Sequence, residues 1–199
     1  MWPYDPDDFE ADLERPESLE DAQLFVVCDD ELLTASQDGV WRPVTNDEFR
    51  WLDVEVRSEH YLGRFRGRPC VAVDASLVER VPPGYASVPL RALLGRIDAA
   101  LFYLAGRAVQ VLNWHKDHAF CGRCGAKTQD HEFDRAKECP ECGLVCYPRI
   151  SPSIIVLIRR DEEVLLARNA RWRHGMYSTL AGFVEPGESV EQGLHREVR

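Results

Sequence analysis

The sequence predicts an α+β fold in three consecutive modules, and three observations predict it. Residues 22–86 alternate short apolar runs with turn residues, as strands do. Residues 90–116 repeat apolar side chains at three- and four-residue steps, as a helix does. Residues 118–150 are rich in Cys and Gly, and a second strand-and-helix pattern follows. The modules expected are an N-terminal α+β domain over 1–117, a four-cysteine ribbon over 118–150, and a further portion over 151–199.

The elements follow in order. Residues 1–21 are polar and read as an extended lead-in with room for one short helix. Gln23 to Cys28 and Glu31 to Ala35 flank Asp29-Asp30, a tight hairpin; His60 to Arg66 and Pro69 to Asp74 flank Gly67-Arg68, another. Pro82-Pro83-Gly84 then breaks the chain. Leu93, Leu94, Ile97, Leu101, Leu104, Ala108, Val111 and Leu112 mark a helix from Leu90 to Lys116, long enough that a break is expected near Gly95 or Gly106. Residues 153–168 read as a hairpin across Asp161-Glu162. Tyr177 to Ala181 reads as a strand, and a helix starts near Ser189.

Composition narrows the class. The 199 residues carry 24 Lys+Arg against 34 Asp+Glu, a net charge of −10, within the range of globular proteins. Residues 1–60 hold 18 acidic and 4 basic side chains, and the remainder hold 16 and 20. Such an acidic first portion argues against wrapping a nucleic-acid duplex, which needs Lys and Arg to neutralise phosphates. The apolar run Ile154–Ile158 is far short of the ~20 residues of a membrane helix. The acidic start, MWPYDPDDFE, lacks the basic-then-apolar order of a secretory signal. The expectation is a cytoplasmic protein with no membrane partner.

Four of the seven cysteines form Cys121-Gly-Arg-Cys124 and Cys139-Pro-Glu-Cys142, 14 residues apart, with Gly125 and Gly143 following the pairs. Each turn can point two thiolates at one metal, with the glycine N–H groups turned toward sulfur, and four thiolates suit tetrahedral Zn²⁺. Disulfides are the alternative, disfavoured in a reducing compartment. A closed site of this kind holds structure and does no chemistry. Cys146 is read as a spare thiol, and Cys28 and Cys70 as core. His118 and His131 are left outside the ligand shell, which four sulfurs already fill.

The tail carries a second motif. Glu185-Pro186-Gly187-Glu188 is a turn, and Ser189 with Gln192 is a helix start. Val190, Leu194 and Val198 share one helix face and are expected to bury against a sheet. Glu197 lies off that stripe and faces a cleft. Glu188 and Arg196 are expected to pair and hold the loop.

Gly182, five residues, Glu188, seven residues, Arg196-Glu197 and an aliphatic residue resemble the first part of the Nudix box. A four-cysteine ribbon upstream, with Phe120-Cys-Gly-Arg-Cys-Gly, Tyr147-Pro-Arg-Ile and Leu180-Ala-Gly-Phe-Val-Glu-Pro-Gly-Glu, is similar to the NADH pyrophosphatase family of zinc-ribbon Nudix hydrolases. The resemblance is closest from Leu104 to Arg199.

It implies that residues 151–199 form the first part of a Nudix α/β/α sandwich. It implies hydrolysis of the NAD(H) pyrophosphate to AMP and nicotinamide mononucleotide, with NAD-capped RNA a further substrate. It also implies a homodimer, one structural Zn²⁺, and catalytic Mg²⁺ or Mn²⁺. Carried over by residue, Glu197 and the Ala181 carbonyl would hold the catalytic ion, with Glu188 and Arg196 completing the catalytic set. Phe183 would stack on a ring of the dinucleotide. Tyr147, Arg91 (with a one-residue offset) and Asp134 would contact substrate, Asp134 standing where the family often has the longer glutamate.

The chain stops at Arg199, before the two glutamates and the glycine that complete such a box, and before the family's downstream Ser-Gln-Pro-Trp-Pro-Phe-Pro-like motif. The polypeptide by itself is therefore expected to have little or no activity. Two other readings compete. One is a Nudix hydrolase of another nucleoside diphosphate derivative such as ADP-ribose. The other is a nucleic-acid-binding ribbon using Arg123, Lys127, Arg135 and Lys137.

Overall fold

The first sheet begins in the acidic lead-in. The computed structural model describes residues 8–37, 40–77, 81–171 and 175–199. The chain divides into two units, Met1–Pro148 and Arg149–Arg199.

In the first unit, β1 (Phe9–Ala11), β2 (Gln23–Cys28), β3 (Glu31–Gln37) and β4 (Val40–Thr45) precede α1 (Asn46–Trp51). Then come β5 (Val54–Phe65), β6 (Arg68–Leu77) and β7 (Tyr85–Val88). They form one sheet in the order β1-β5-β6-β2-β4-β3-β7, with β2 also paired to β3. Every pairing is antiparallel except β2 with β6. Both faces of β2 are covered. Phe25 and Val27 enter one core with the long helix, while Leu24, Val26 and Cys28 enter the other. That is why this strand reads as a continuous apolar run. Cys28 and Cys70 are both buried, as expected.

The Asp29-Asp30 turn is as expected, with φ of 48° and 69°, the primed geometry that suits the twist of its strands. The second hairpin differs by one residue: Arg66 (49°) and Gly67 (77°) take the turn, and Arg68 opens β6 opposite Phe65. Among its described residues the lead-in holds the strand β1, and residues 1–7 of the region read as having room for a short helix lie outside the described residues.

Helix α1 interrupts a region read from sequence as strands alone. Thr45 caps it, accepting the Glu48 N–H at 3.3 Å, while the Glu48 carboxylate accepts the Thr45 N–H at 2.9 Å. Arg42 braces the same carboxylate with two hydrogen bonds of 2.7 and 2.6 Å.

The expected Leu90–Lys116 helix divides. Leu90–Leu93 is a single 3-10 turn, Gly95 takes φ 74°, and α2 runs Ala99–Asp117. Asp98 restarts the chain as N-cap, accepting from Ala100 N–H at 2.9 Å. Gly106 lies inside α2 without breaking it. Leu104, Ala105, Ala108, Val111, Leu112 and Trp114 form the buried face of α2 against the sheet. The ribbon follows as a small antiparallel sheet of β8 (Gln129–Asp130), β9 (Lys137–Glu138) and β10 (Val145–Cys146).

In the second unit, β11 (Ser153–Val156) pairs antiparallel with β14 (Leu180–Phe183), and β12 (Ile158–Arg160) with β13 (Glu163–Leu165). The expected 153–168 hairpin is therefore only its outer part: the chain breaks at Leu157, and its first strand pairs with the loop-bearing strand instead. The strand expected at Tyr177–Ala181 is displaced to Leu180–Phe183, with Ser178 bridged to Ala167. Helix α3 (Val190–Val198) closes the unit.

Candidate functional site

Two knuckles with matching hydrogen bonds build the sulfur cluster. In the first, Cys121 N–H donates to the Ala126 carbonyl (2.7 Å) and Gly125 N–H to the Cys121 carbonyl (2.9 Å); in the second, Cys139 donates to Leu144 (2.9 Å) and Gly143 to Cys139 (2.9 Å). The glycine amides thus close the turns on a carbonyl and not on sulfur, a correction to the sequence reading. Arg123 N–H, by contrast, donates to Cys121 Sγ at 3.4 Å. Amide donation from Cys124 and then Arg123 lowers the Cys121 thiol. At Cys124 the Ala126 amide also lowers the thiol, but the hydrogen bonds shared with Cys139, Cys142 and Cys121, together with burial, outweigh it and raise the thiol. The crowded sulfurs thus share a proton load that a bound cation would relieve.

All four sulfurs lie within 4.8 Å of one another, with Cys121–Cys142 at 3.6 Å and Cys124–Cys139 at 3.5 Å. Thiolates about 2.3 Å from one Zn²⁺ stand about 3.8 Å apart in a tetrahedron, so the cluster fits that ion. The cysteines are free thiols, far beyond the ~2.05 Å of a disulfide. Cys146 is half-buried on β10, outside the cluster. His118 shares a 2.8 Å hydrogen bond with the Trp114 carbonyl. His131 Nδ1 accepts amide N–H groups from Asp134 (3.1 Å) and Phe133 (3.4 Å).

The second unit builds the loop motif. The turn at Glu185–Glu188 is closed by Glu188 N–H to the Glu185 carbonyl (3.0 Å), with Gly187 at φ 83°. Ser189 and Gln192 form a reciprocal capping box. Arg196 is the hub. Its Nε and Nη2 grip the two oxygens of Glu188 at 2.9 Å each, Nη2 also donates to the Phe183 carbonyl at 2.8 Å, and Nη1 pairs with Glu197. Glu188 also accepts the Glu185 N–H at 3.0 Å. Arg196 first, then that amide, hold the Glu188 carboxyl below its ordinary range. A Cβ built on Gly182 would overlap the Glu197 carboxylate, so only glycine admits this side chain against the strand.

Helix α3 turns a different face from the one expected. Gly193 is buried and Glu197 half-buried, while Val190 and Val198 are 57% and 40% exposed and Leu194 is half-buried. Gly193 lies near the Glu188 carboxylate and the Val184 side chain, and Glu197 lies against Gly182. Phe183 ends β14 with its ring 66% exposed.

Of the other predicted site residues, Asp134 and Tyr147 meet within the first unit: the Tyr147 hydroxyl donates to Asp134 Oδ2 at 3.0 Å, which pushes the phenol upward. Arg91 lies exposed on the 3-10 turn, not on the long helix where the sequence placed it.

Of the four ribbon cations, Lys127 is exposed, while the other three are tied to neighbouring groups. Lys137 is 6% exposed and pairs with Asp130 at 2.8 Å. Arg135 donates to the Tyr61 carbonyl at 2.8 Å, and Arg123 to the Cys142 carbonyl at 3.5 Å. Sequence reasoning also missed a chain of side chains joining ribbon to sheet. His60 Nε2 lies 2.9 Å from His115 Nδ1, and His115 Nε2 lies 3.4 Å from the Lys137 ammonium. Burial, then the neighbouring His115, holds His60 down to about 4. No local motif announces such a network, since its members come from three elements, β5, α2 and β9.

Residues 21–114 match the NADH pyrophosphatase-like rudimentary NUDIX domain, residues 116–147 the NADH pyrophosphatase zinc ribbon domain, and residues 148–199 the NUDIX domain. The chain belongs to the NADH pyrophosphatase family of zinc-ribbon Nudix proteins. Its relatives in that family include proteins named NAD-capped RNA hydrolase NudC. The one from Stutzerimonas stutzeri (strain A1501) is 43% identical over 182 residues, covering 92% of this chain and 64% of the relative. Those from Pseudomonas aeruginosa (strain LESB58) and Pseudomonas syringae pv. tomato are 46% and 44% identical, covering 75% and 89% of this chain. The chain thus spans 54 to 64% of the length of these relatives. Among the described residues, no helix is long and apolar enough to cross a membrane.

Proposed function

We propose that this chain carries part of a divalent-metal-dependent hydrolase that splits the pyrophosphate of NAD(H) into AMP and nicotinamide mononucleotide. NAD caps on RNA are a further substrate. The observation that carries the reading is the Arg196 clamp, which holds the Glu197 carboxylate against Gly182, next to Ala181. A carboxylate and a backbone carbonyl are the hard oxygen donors that Mg²⁺ or Mn²⁺ takes, the rest of the shell coming from water and phosphate. Such an ion, when bound, neutralises the diphosphate and lowers the pKa of attacking water.

The chain's own residues supply the rest. Glu188 and Arg196 fix the loop. The open face of Phe183 receives a flat ring. Asp134 and Tyr147 offer a hydrogen-bonding pair, and Arg91 a cation for phosphate. The protein is expected to work in the cytoplasm as a homodimer, which light scattering on the purified chain measures.

The test is Mn²⁺ titration of the ¹⁵N-labelled chain. Broadening should concentrate on the Ala181 and Gly182 amides and vanish in Glu197→Gln. Broadening centred elsewhere overturns the reading. The described residues bring one α3 carboxylate to the loop, so turnover of NADH, NAD⁺, ADP-ribose or NAD-capped RNA by these 199 residues should stay near background. Rapid NADH turnover would refute that expectation, and cleavage of ADP-ribose ahead of NADH would favour the alternative substrate.

A further inference from the structure

The loop between β8 and β9 is organised by a side chain to which neither the zinc shell nor the Nudix box gives a role. His131 opens the loop, with its N–H donating to the Ala136 carbonyl at 2.9 Å, while Ala136 N–H donates to the Asp134 carbonyl at 2.8 Å. Inside that closed turn, His131 Nδ1 accepts the N–H of Asp134 at 3.1 Å and of Phe133 at 3.4 Å. These are the donors two and three residues on, the pair that an Asx turn satisfies with a carboxylate or amide oxygen. Here an imidazole nitrogen takes the place of that oxygen. Both donors are backbone amides, so Nδ1 is the acceptor and any ring proton sits on Nε2.

The consequence lies one residue along. With its amide held, Asp134 is fixed in orientation, and its carboxylate accepts the Tyr147 hydroxyl at 3.0 Å across the ribbon. His131 Nδ1 is 3.8 Å from the same carboxylate and does not compete for it, because it is already filled by the two amides. The imidazole is three-quarters buried, whereas Asp134 is about half exposed and Tyr147 56% exposed. A sheltered group therefore sets the geometry of two accessible ones.

We propose that His131 is a positioning residue for the Asp134–Tyr147 pair, acting through the loop backbone and touching no ligand itself. The inference rests, for its functional meaning, on the reading that Asp134 and Tyr147 face a dinucleotide. It predicts that the pair survives any side chain that can accept at the Nδ1 position and fails with one that cannot.

The experiment is NMR on the zinc-loaded chain, ¹⁵N-labelled and carrying ¹³Cζ-tyrosine. In wild type, hydrogen bonding to Asp134 keeps Tyr147 titrating above an ordinary tyrosine. His131→Leu should shift the Phe133 and Asp134 amides and lower the Tyr147 midpoint as far as Asp134→Asn does. His131→Asn, whose Oδ1 can restore the turn, should leave both near wild type. A Tyr147 midpoint unmoved in His131→Leu, with the zinc ribbon still folded, overturns the assignment. So does equal loss in His131→Asn, which would mark a packing role instead. Titration with NADH is read separately on the same spectra. If the Asp134 and Tyr147 signals ignore NADH while the variants behave as stated, the dinucleotide reading fails and the positioning role stands.

Discussion

Gly182 and Arg196 show how few atoms set the loop. The Glu197 carboxylate occupies the space that a Cβ on Gly182 would need, and Arg196 bonds Glu188, Glu197 and the Phe183 carbonyl together. Gly182→Ala should therefore displace the Glu197 carboxylate from the strand. Because that group is the free end of a flexible side chain, the stability of the second unit should change by only about 0.5 kcal/mol. Urea unfolding measures the stability, and Glu197 side-chain NMR signals unmoved by the substitution would contradict the close approach. The box spacing made the Glu188–Arg196 pair legible from sequence. Spacing alone did not show that Gly193 and Glu197, and not the Val190–Val198 stripe, would face the strand. Hydrophobic patterning assumes that burial sets helix rotation. In α3 the Arg196 pairing with Glu188 lies on the side that meets the strand, while Val190 and Val198 stay exposed.

At the scale of elements, the ribbon and α1 make opposite lessons. The ribbon was readable because Cys-x-x-Cys followed by glycine is a local geometry, and both copies adopt the same hydrogen bonds. Its folding should depend on the ion: structural zinc binding in short fingers is worth about 10 kcal/mol, more than three two-residue strands supply. Chelation should collapse the amide dispersion of residues 121–146 and render four thiols reactive, while the helical circular dichroism of α2 persists. A ribbon spectrum unchanged by chelator would argue against a structural ion.

Helix α1 was missed although Thr45 and Glu48 spell a capping box, because six residues among strands carry too little periodicity. Its brace gives a pH signature. The Arg42 hydrogen bonds, above all, hold Glu48 down to about 2 against an ordinary 4.5. A carboxylate with a lowered folded pKa stabilises above the unfolded value and loses that contribution as pH falls from about 4.5 through 2. After allowance for solvent screening the effect is about 1 kcal/mol. The stability gap between wild type and Glu48→Gln at pH 7 should shrink by that amount at pH 2.5.

Across the whole chain, burial is uneven. The first unit encloses two cores on the two faces of its sheet, whereas in the second Ile154 is the one buried apolar side chain among the described residues. Ile155, Leu157 and Tyr177 are 72%, 52% and 62% exposed. Amides in β11 and β14 should then exchange with solvent orders of magnitude faster than those of α2 between Leu104 and Leu112. Hydrogen exchange read by mass spectrometry checks this, and equal protection would mean the second unit is stabilised by more than its own contacts.

Sequence by itself determined the metal knuckles, the turn and cap of the box, the Asp29-Asp30 hairpin and the apolar face of the long helix. Each depends on residues within about one turn of each other, where covalent geometry limits the choices. Tertiary structure alone decided the parallel pairing of β2 with β6, the burial of Lys137 beside His115, and the rotation of α3. It alone also brought the Tyr147 hydroxyl to Asp134. These join positions distant in sequence or weigh an ion pair against apolar burial, and such competitions are settled only when all the partners are in place.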